Sequence, residues 1–365
     1  MKKYWIFSAL FLLMLTVPAL WMLLQPDKSF SENENRYLQQ RPTLNADAVT
    51  SGKFQKQTEE WLSEQFPGRD LLMGAGTLMK KAVGYRDVGG AWIGKEGYYL
   101  EKHAPEDFDW KKYRRNLSYL ADLAEASGLP VRALLIPCAA SALPEKLPGG
   151  AETYDAAAAL RAAREVMPDV TVPDLTALLR AHPETQLYYR TDHHWTAAGA
   201  RLGYDCLMNG EGAYTGTPTV FCDDFYGTTF SKTLDPMARP DTVSLFPLPD
   251  TVTAVADGEE IPVYDLSAGD RKDKYTVFLG GNHGLVTLTG GCENGKTLLV
   301  LKDSFANCLA PLLTADYETV LLVDLRYYPG SVRSLLSMAR PDELLFVYEM
   351  NNLASDDDFV KLLLP

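Results

Sequence analysis

Apolar residues fall into two regimes along the 365-residue chain. The first is an unbroken stretch from Tyr4 to Leu24, with no charge until Asp27, about the length that spans a bilayer. The second begins near Asp109, where amphipathic stretches alternate with short, wholly apolar runs. Residues 113–127 predict an amphipathic helix stopped by Gly128 and Pro130, and residues 131–137 a buried strand. An Ala-rich helix is expected over 154–167, a short strand over 170–175, a helix through Leu179, and another from Thr196, a plausible N-cap. Further strands are expected at 275–279, 285–289, 297–302, 319–325 and 343–349, with helices after Ser304, around 331–338 and from Ser355. Apolar strands alternating with helices predict an α/β fold with a doubly wound parallel sheet, whose sites lie at the strands' C-terminal ends.

Other stretches break that rhythm. Phe54, Trp61, Leu62 and Phe66 recur at roughly helical spacing within residues 52–81, interrupted by the turn Phe66-Pro-Gly-Arg-Asp70. Residues 91–100 predict a hairpin about Lys95-Glu-Gly97. Residues 211–270 are rich in Gly, Pro, Thr and Asp and predict an irregular, β-containing insertion forming a cleft wall. The expected division is therefore an anchor or signal peptide at 1–26, a helical and hairpin extension at 27–108 packed on the main domain, and an α/β domain at 109–365.

The net charge of -13 and pI near 4.9 exclude a nucleic-acid surface, and no basic cluster follows Lys2-Lys3. Those two lysines before the apolar stretch orient the remaining chain outside the cytoplasm. Val17-Pro18-Ala19 offers a weak cleavage site, but the apolar run continues through Leu24, which favours an uncleaved single-pass anchor over a secreted product. The five cysteines are widely spaced, with no C-x-x-C pair. Zinc built from them is not expected, at most two disulfides are possible with Cys206–Cys222 the first pair to examine, and most of the five are expected to be buried free thiols.

Chemistry concentrates in Leu187-Tyr-Tyr-Arg-Thr-Asp-His-His-Trp-Thr196, which holds two of the chain's five histidines. A carboxylate beside an imidazole fixes its tautomer and stabilises its cation, so Asp192 is the expected orienter and either His194 or His193 the base. Trp195 reads as packing. The nucleophile is expected at Ser304, where the apolar strand of Thr297-Leu-Leu-Val-Leu-Lys-Asp-Ser-Phe305 turns into a helix; the competing reading makes Ser304 a helix N-cap. Asn282, in Gly280-Gly-Asn-His-Gly284, is a candidate oxyanion donor. Asp303, Arg326 and Asn351-Asn352 sit at strand ends within reach of a substrate. A metal held by Asp192, His193 and His194, completed by Asp303 or His283, is the competing chemistry, but adjacent histidines rarely face one ion and no metal is expected.

The motif Thr191-Asp-His-His-Trp-Thr196 resembles the signature of the DHHW protein family. Residues 34–38 (Glu34-Asn-Arg-Tyr-Leu38), Phe66-Pro-Gly-Arg-Asp70, Ile93-Gly-Lys-Glu-Gly97 and Lys302-Asp-Ser-Phe305 match it as well. That family is similar to the AlgX and AlgJ polysaccharide O-acetylation proteins, in which Asp-x-His-Trp precedes Gly-Asp-Ser-Phe on an SGNH-hydrolase-like fold. The resemblance implies a triad of Asp192, His194 and Ser304, selecting His194 over His193 by the Asp-x-His spacing. It implies an SGNH-like α/β domain acting as a serine O-acetyltransferase or acetylesterase on a cell-envelope or exported polysaccharide, with no cofactor. It also implies a membrane-bound O-acyltransferase partner that supplies acyl groups. Lys302 departs from the pattern, standing where the glycine that helps shape the oxyanion hole is expected. That departure favours the alternative, a non-catalytic glycan-binding or scaffold protein of a polysaccharide synthesis complex.

Overall fold

The leading apolar stretch folds as helix α1 (Lys2–Leu24), and its Tyr4–Leu24 portion is long and apolar enough to cross a membrane. The computed structural model describes residues 2–34 and 36–364; Met1, Pro365 and Asn35 of the 34–38 motif lie outside them. The chain divides into two units, one of residues 2–85 with Ser231–Ala238, the other of Arg86–Phe230 with residues 239–364.

In the smaller unit the helical pattern after Gly52 resolves into α2 (Lys53–Glu64) and α3 (Arg69–Ala82). Gly68, at φ 71°, makes the turn between them, a conformation only glycine adopts without strain. The two short motifs of this region meet: Arg36 bridges Glu34 and Glu64, and Arg69 reaches Glu34. Lys81 pairs with the buried Asp235 of the Ser231–Ala238 segment.

The larger unit opens with the hairpin β1 (Ala91–Ile93) and β2 (Tyr99–Glu101), paired antiparallel. There follow α4 (Trp110–Ser127), β3 (Val131–Ile136), α5 (Ala156–Val166), α6 (Leu175–Arg180) and α7 (Ala197–Leu207). Asp109, Asp155, Asp174 and Thr196 cap these four helices, each side chain accepting a first-turn backbone N–H. The rest comprises β4 (Thr219–Phe225), β5 (Asp241–Leu245), β6 (Thr253–Ala256), β7 (Glu259–Ile261), β8 (Leu285–Thr289), β9 (Thr297–Lys302), α8 (Ala306–Leu313), β10 (Thr319–Val323), α9 (Val332–Ala339), β11 (Glu343–Glu349) and α10 (Met350–Ser355).

Seven strands form the main sheet in the order β7-β6-β8-β10-β9-β11-β3. The four strands from β10 to β3 are parallel, while β7, β6 and β8 join antiparallel. The sheet is therefore mixed, not wholly parallel. The cause is in the side chains: β9, β10 and β3 are near-continuous apolar runs suited to burial on both faces, whereas β8 alternates buried and half-buried positions, the pattern of a one-sided antiparallel strand. Within the 211–270 stretch, β6 and β7 extend the main sheet, while β4 and β5 pair by themselves.

Two expected strands are absent. Residues 170–175 contribute a single bridge, Thr171 to Arg132, before the Asp174 cap starts α6. The β-rich run at 275–279 is a 3-10 turn, Lys274–Val277, ending in a left-handed Leu279 (φ 61°). The last helical stretch begins earlier than Ser355, as α10, and continues as the 3-10 turn Asp358–Leu363. All five cysteines are free thiols, so Cys206, on α7, is not bridged to Cys222, on β4.

The parallel strands present their C-terminal ends at one edge. Lys302, Val323 and Glu349 end β9, β10 and β11, and Asp303-Ser304, Asp324 and Asn352 follow them. Asn116, wholly buried on α4, fastens the far side of this arrangement by donating to Leu353 O (2.9 Å) and Asp356 O (2.7 Å). Asn116→Ala leaves both carbonyls unpaired, and urea unfolding should report a loss of about 1–3 kcal/mol.

Candidate active site

The loop carrying Asp192 and His194 is closed on itself. Thr196 N donates to Leu187 O (2.9 Å) and Tyr189 N to His194 O (3.1 Å), so the intervening residues are driven into a tight turn. Asp241, buried at the start of β5, holds the entry: its Oδ1 accepts from Arg190 N and Gln186 Nε2, its Oδ2 from Thr191 N and Oγ1. Trp195 is fully buried and donates to Phe305 O (3.0 Å), tying this loop to the start of α8; it packs, as expected.

Within the turn, Asp192 Oδ1 lies 2.6 Å from His194 Nδ1 and accepts the His194 backbone N–H at 2.9 Å. Its Oδ2 accepts from Thr228 N (2.7 Å) and Oγ1 (3.0 Å). A carboxylate only accepts, so His194 Nδ1 carries the proton and Nε2 is left as the acceptor. That nitrogen lies 2.8 Å from Ser304 Oγ. The structure thus brings Asp192, His194 and Ser304 into one hydrogen-bonded line, across 110 residues of sequence. Ser304 does not cap α8, whose N-cap is Phe305 with no side-chain hydrogen bond.

Two neighbours that the sequence did not single out shape this line. A Cβ on Gly227 would fall 2.2 Å from Asp192 Cβ, so only glycine lets the backbone pass there. Tyr275 stacks on the His194 ring, centroids 3.9 Å apart and planes 10° from parallel, and its hydroxyl donates to Ser304 O (3.2 Å). Neither carries a local signal: Gly227 lies in an irregular stretch, and Tyr275 sits where the composition predicts a strand.

Burial alone would raise the Asp192 carboxyl, but the flanking His193 and His194 and the hydrogen bonds from His194 and Thr228 hold it well below the usual range. His194 is pushed down to about 4, first by burial and then by its neighbour His193, with Asp192 only partly compensating. At neutral pH the pair is an ionised carboxylate and a neutral imidazole, the state in which Nε2 can accept a proton.

The remaining candidates separate. His193 is engaged with Thr228, its Nδ1 meeting Thr228 Oγ1 at 2.7 Å, and its ring packs on His194. Asp303 is buried and committed to the protein, accepting Phe305 N at Oδ1 and Glu349 N and Asn352 Nδ2 at Oδ2. It therefore holds the Ser304 turn against β11 and α10. Arg326 grips Asp324 with two nitrogens. Asn282 Oδ1 accepts from Asn307 Nδ2 at 3.0 Å. Asp192, His193 and His194 offer donor atoms within 4.8 Å of one another, the only such cluster among the described residues. Both His194 nitrogens and both Asp192 oxygens are already engaged, and neither Asp303 nor His283, whose ring meets Leu279 O, completes a ligand set.

Residues 95–214 match the model of the SGNH hydrolase-like domain of the acetyltransferase AlgX. No curated protein matches the chain. A DHHW family protein from Eubacterium siraeum DSM 15702 superposes with a TM-score of 0.63 at 21% identity, covering 74% of this chain and 94% of that one. PatB1 of Bacillus cereus, solved with a sulfonyl adduct, gives 0.60 at 23% identity, covering 73% and 96%. These likenesses establish an SGNH-like α/β fold. The resemblance read from the Asp-His-His-Trp motif is met in the same terms, because residues 158–323, which contain Asp192, His194 and Ser304 together, match the family model of the DHHW protein.

Proposed function

We propose that the chain is a serine O-acyltransferase or acylesterase of the SGNH-like class, working on an acetylated polysaccharide outside the cytoplasm and held at the membrane by α1. The observation that carries this reading is the Asp192–His194–Ser304 line, with its 2.6 Å and 2.8 Å contacts. The match of residues 95–214 to an acetyltransferase domain supports the group transferred.

In this reading His194 Nε2 takes the Ser304 proton as Oγ bonds to the acyl carbonyl carbon, and Asp192 stabilises the imidazolium that forms. The tetrahedral oxyanion collapses, the carbon–oxygen bond to the departing alcohol breaks, and that alcohol leaves with the proton from His194. A sugar hydroxyl (transfer) or water (hydrolysis) then repeats the steps in reverse on the acyl-serine. Asn282 is assigned the contact to the oxyanion. Lys302, the departure behind the alternative of a glycan-binding or scaffold role, is 1% exposed, with its Nζ donating to Asn307 Oδ1 and lying near Asp324. The polysaccharide, and a membrane acyl donor, follow from the resemblance alone.

Hydrolysis of a small acetyl ester by the full chain in detergent tests the mechanism. Ser304→Ala should lower kcat by on the order of 10⁶ and abolish labelling by a sulfonyl fluoride; labelling that persists in the variant removes Ser304 as nucleophile. Asp192→Asn should cost on the order of 10⁴ in kcat through loss of the tautomer.

The pH profile gives a separate check. Because the reactive form of His194 is the neutral one and its pKa is lowered to about 4, that form survives mild acid. kcat/KM should stay level as pH falls below neutrality and decline only near pH 4, with a matching midpoint in the His194 ring NMR titration. A midpoint at the ordinary histidine value of about 6.5 contradicts the electrostatics.

A further inference from the structure

Beneath the Asn282 loop lies a chain of polar groups that the triad does not use. Lys302 ends β9 with its side chain buried, its Nζ donating to Asn307 Oδ1 (2.8 Å) and lying 3.3 Å from Asp324 Oδ2. Asp324 is fixed from the other side by Arg326, through contacts of 2.8 and 2.6 Å. Asn307 Nδ2 in turn donates to Asn282 Oδ1 (3.0 Å) and Gly281 O (3.3 Å).

The polarity of this chain is forced from one end. Asp324 accepts only and the lysine nitrogen donates, so Asn307 must turn its oxygen to Lys302 and its NH2 outward. Asn282 must then meet that NH2 with its own oxygen, which leaves Asn282 Nδ2 as the outward end. Among the described residues, nothing accepts from it.

The loop that carries Asn282 is held in a costly shape. Leu279, Gly280 and Gly281 are left-handed in succession, at φ 61°, 72° and 114°. A buried leucine in that region costs on the order of 1 kcal/mol and persists only where its surroundings impose it. The same segment adjoins the nucleophile: Tyr275 at its start donates to Ser304 O, and Asn307, which holds its end, donates its own N–H to Ser304 O (3.2 Å).

We propose that Lys302 and Asn307 are positioning residues that set the polarity of the Asn282 amide, presenting its N–H to the acyl oxygen that becomes anionic when Ser304 attacks. This rests on the acyl-transfer reading above. Lysine at the position of the expected glycine is then part of the oxyanion support, acting from below through two amides.

Asn307→Asp tests it with little change of volume. The carboxylate still accepts from Lys302 but has no N–H for Asn282, whose amide must invert and aim its oxygen at the oxyanion. With the acetyl ester, kcat should fall about a hundredfold to a thousandfold with KM nearly unchanged and the thermal unfolding midpoint kept. Asn282→Ala should match it, and the double variant should be no worse than either, since both remove one donor. A relay that does not exist is revealed if Asn307→Asp stays within about twofold of the parent while Asn282→Ala loses activity, or if the two losses multiply. The parent and Ser304→Ala chains separate the two ideas: an active, Ser304-dependent parent with an indifferent Asn307→Asp overturns the relay alone. A parent with neither turnover nor labelling overturns the acyl-transfer reading and this role with it.

Discussion

The structure of the site depends on keeping one neutral imidazole between a carboxylate and a hydroxyl inside a nearly dry pocket. Burial opposes charge on both Asp192 and His194, and it wins at only one of them. Four hydrogen-bond contacts gather on Asp192, from the His194 ring and backbone and from Thr228, so its anion is solvated by the protein itself. His194 has Asp192 and, more weakly, Glu101 to compensate, but a second imidazole alongside and its burial outweigh them, so it stays neutral. An interior that charged His194 as well would leave no acceptor nitrogen facing Ser304.

Much of the surrounding architecture can be understood as the means of holding that arrangement. Asp241 gathers four donors from three residues ahead of the Asp-His-His-Trp turn, and Gly227 lets the Thr228 donors reach Asp192. On the serine side, Asp303 binds the turn after β9 to the end of β11 and the start of α10. Tyr275 closes one face of the imidazole. These partners are on separate segments, so the geometry of three atoms is set by the packing of a whole sheet edge.

Asp192, His194 and Ser304 were legible in the sequence because each stands in a local pattern: an acid and two histidines before a Thr-capped helix, and a serine at the end of an apolar strand. The Asp-x-His resemblance singles out His194 over His193, and it is the His194 ring that lies between Asp192 and Ser304. Asp241, Thr228 and Tyr275 were not legible, since each acts through a contact spanning tens of residues and none has a distinctive neighbour in the chain. The run Tyr275-Thr-Val-Phe-Leu279 misled for a physical reason: its β-branched and aromatic residues favour strands, but tertiary packing bends it into a turn. The antiparallel part of the sheet is not visible in apolar content alone, since β8 differs from its parallel neighbours in its alternation of burial. Asp303 and Arg326 sit at the strands' C-terminal edge, where the Asp303 carboxylate and two of the Arg326 side-chain nitrogens are occupied by the protein.

The position of β9 in the sheet has a consequence for how the protein comes into being. β9 carries Ser304 and lies between β10 and β11, both made after it, and the Asp303 turn is held by Glu349 and Asn352. Until those two strands have been made, β9 has no lateral partners in the sheet. Such long-range pairing is the slow and late part of folding. Ser304 therefore reaches its place beside His194 only through contacts with segments synthesised after it.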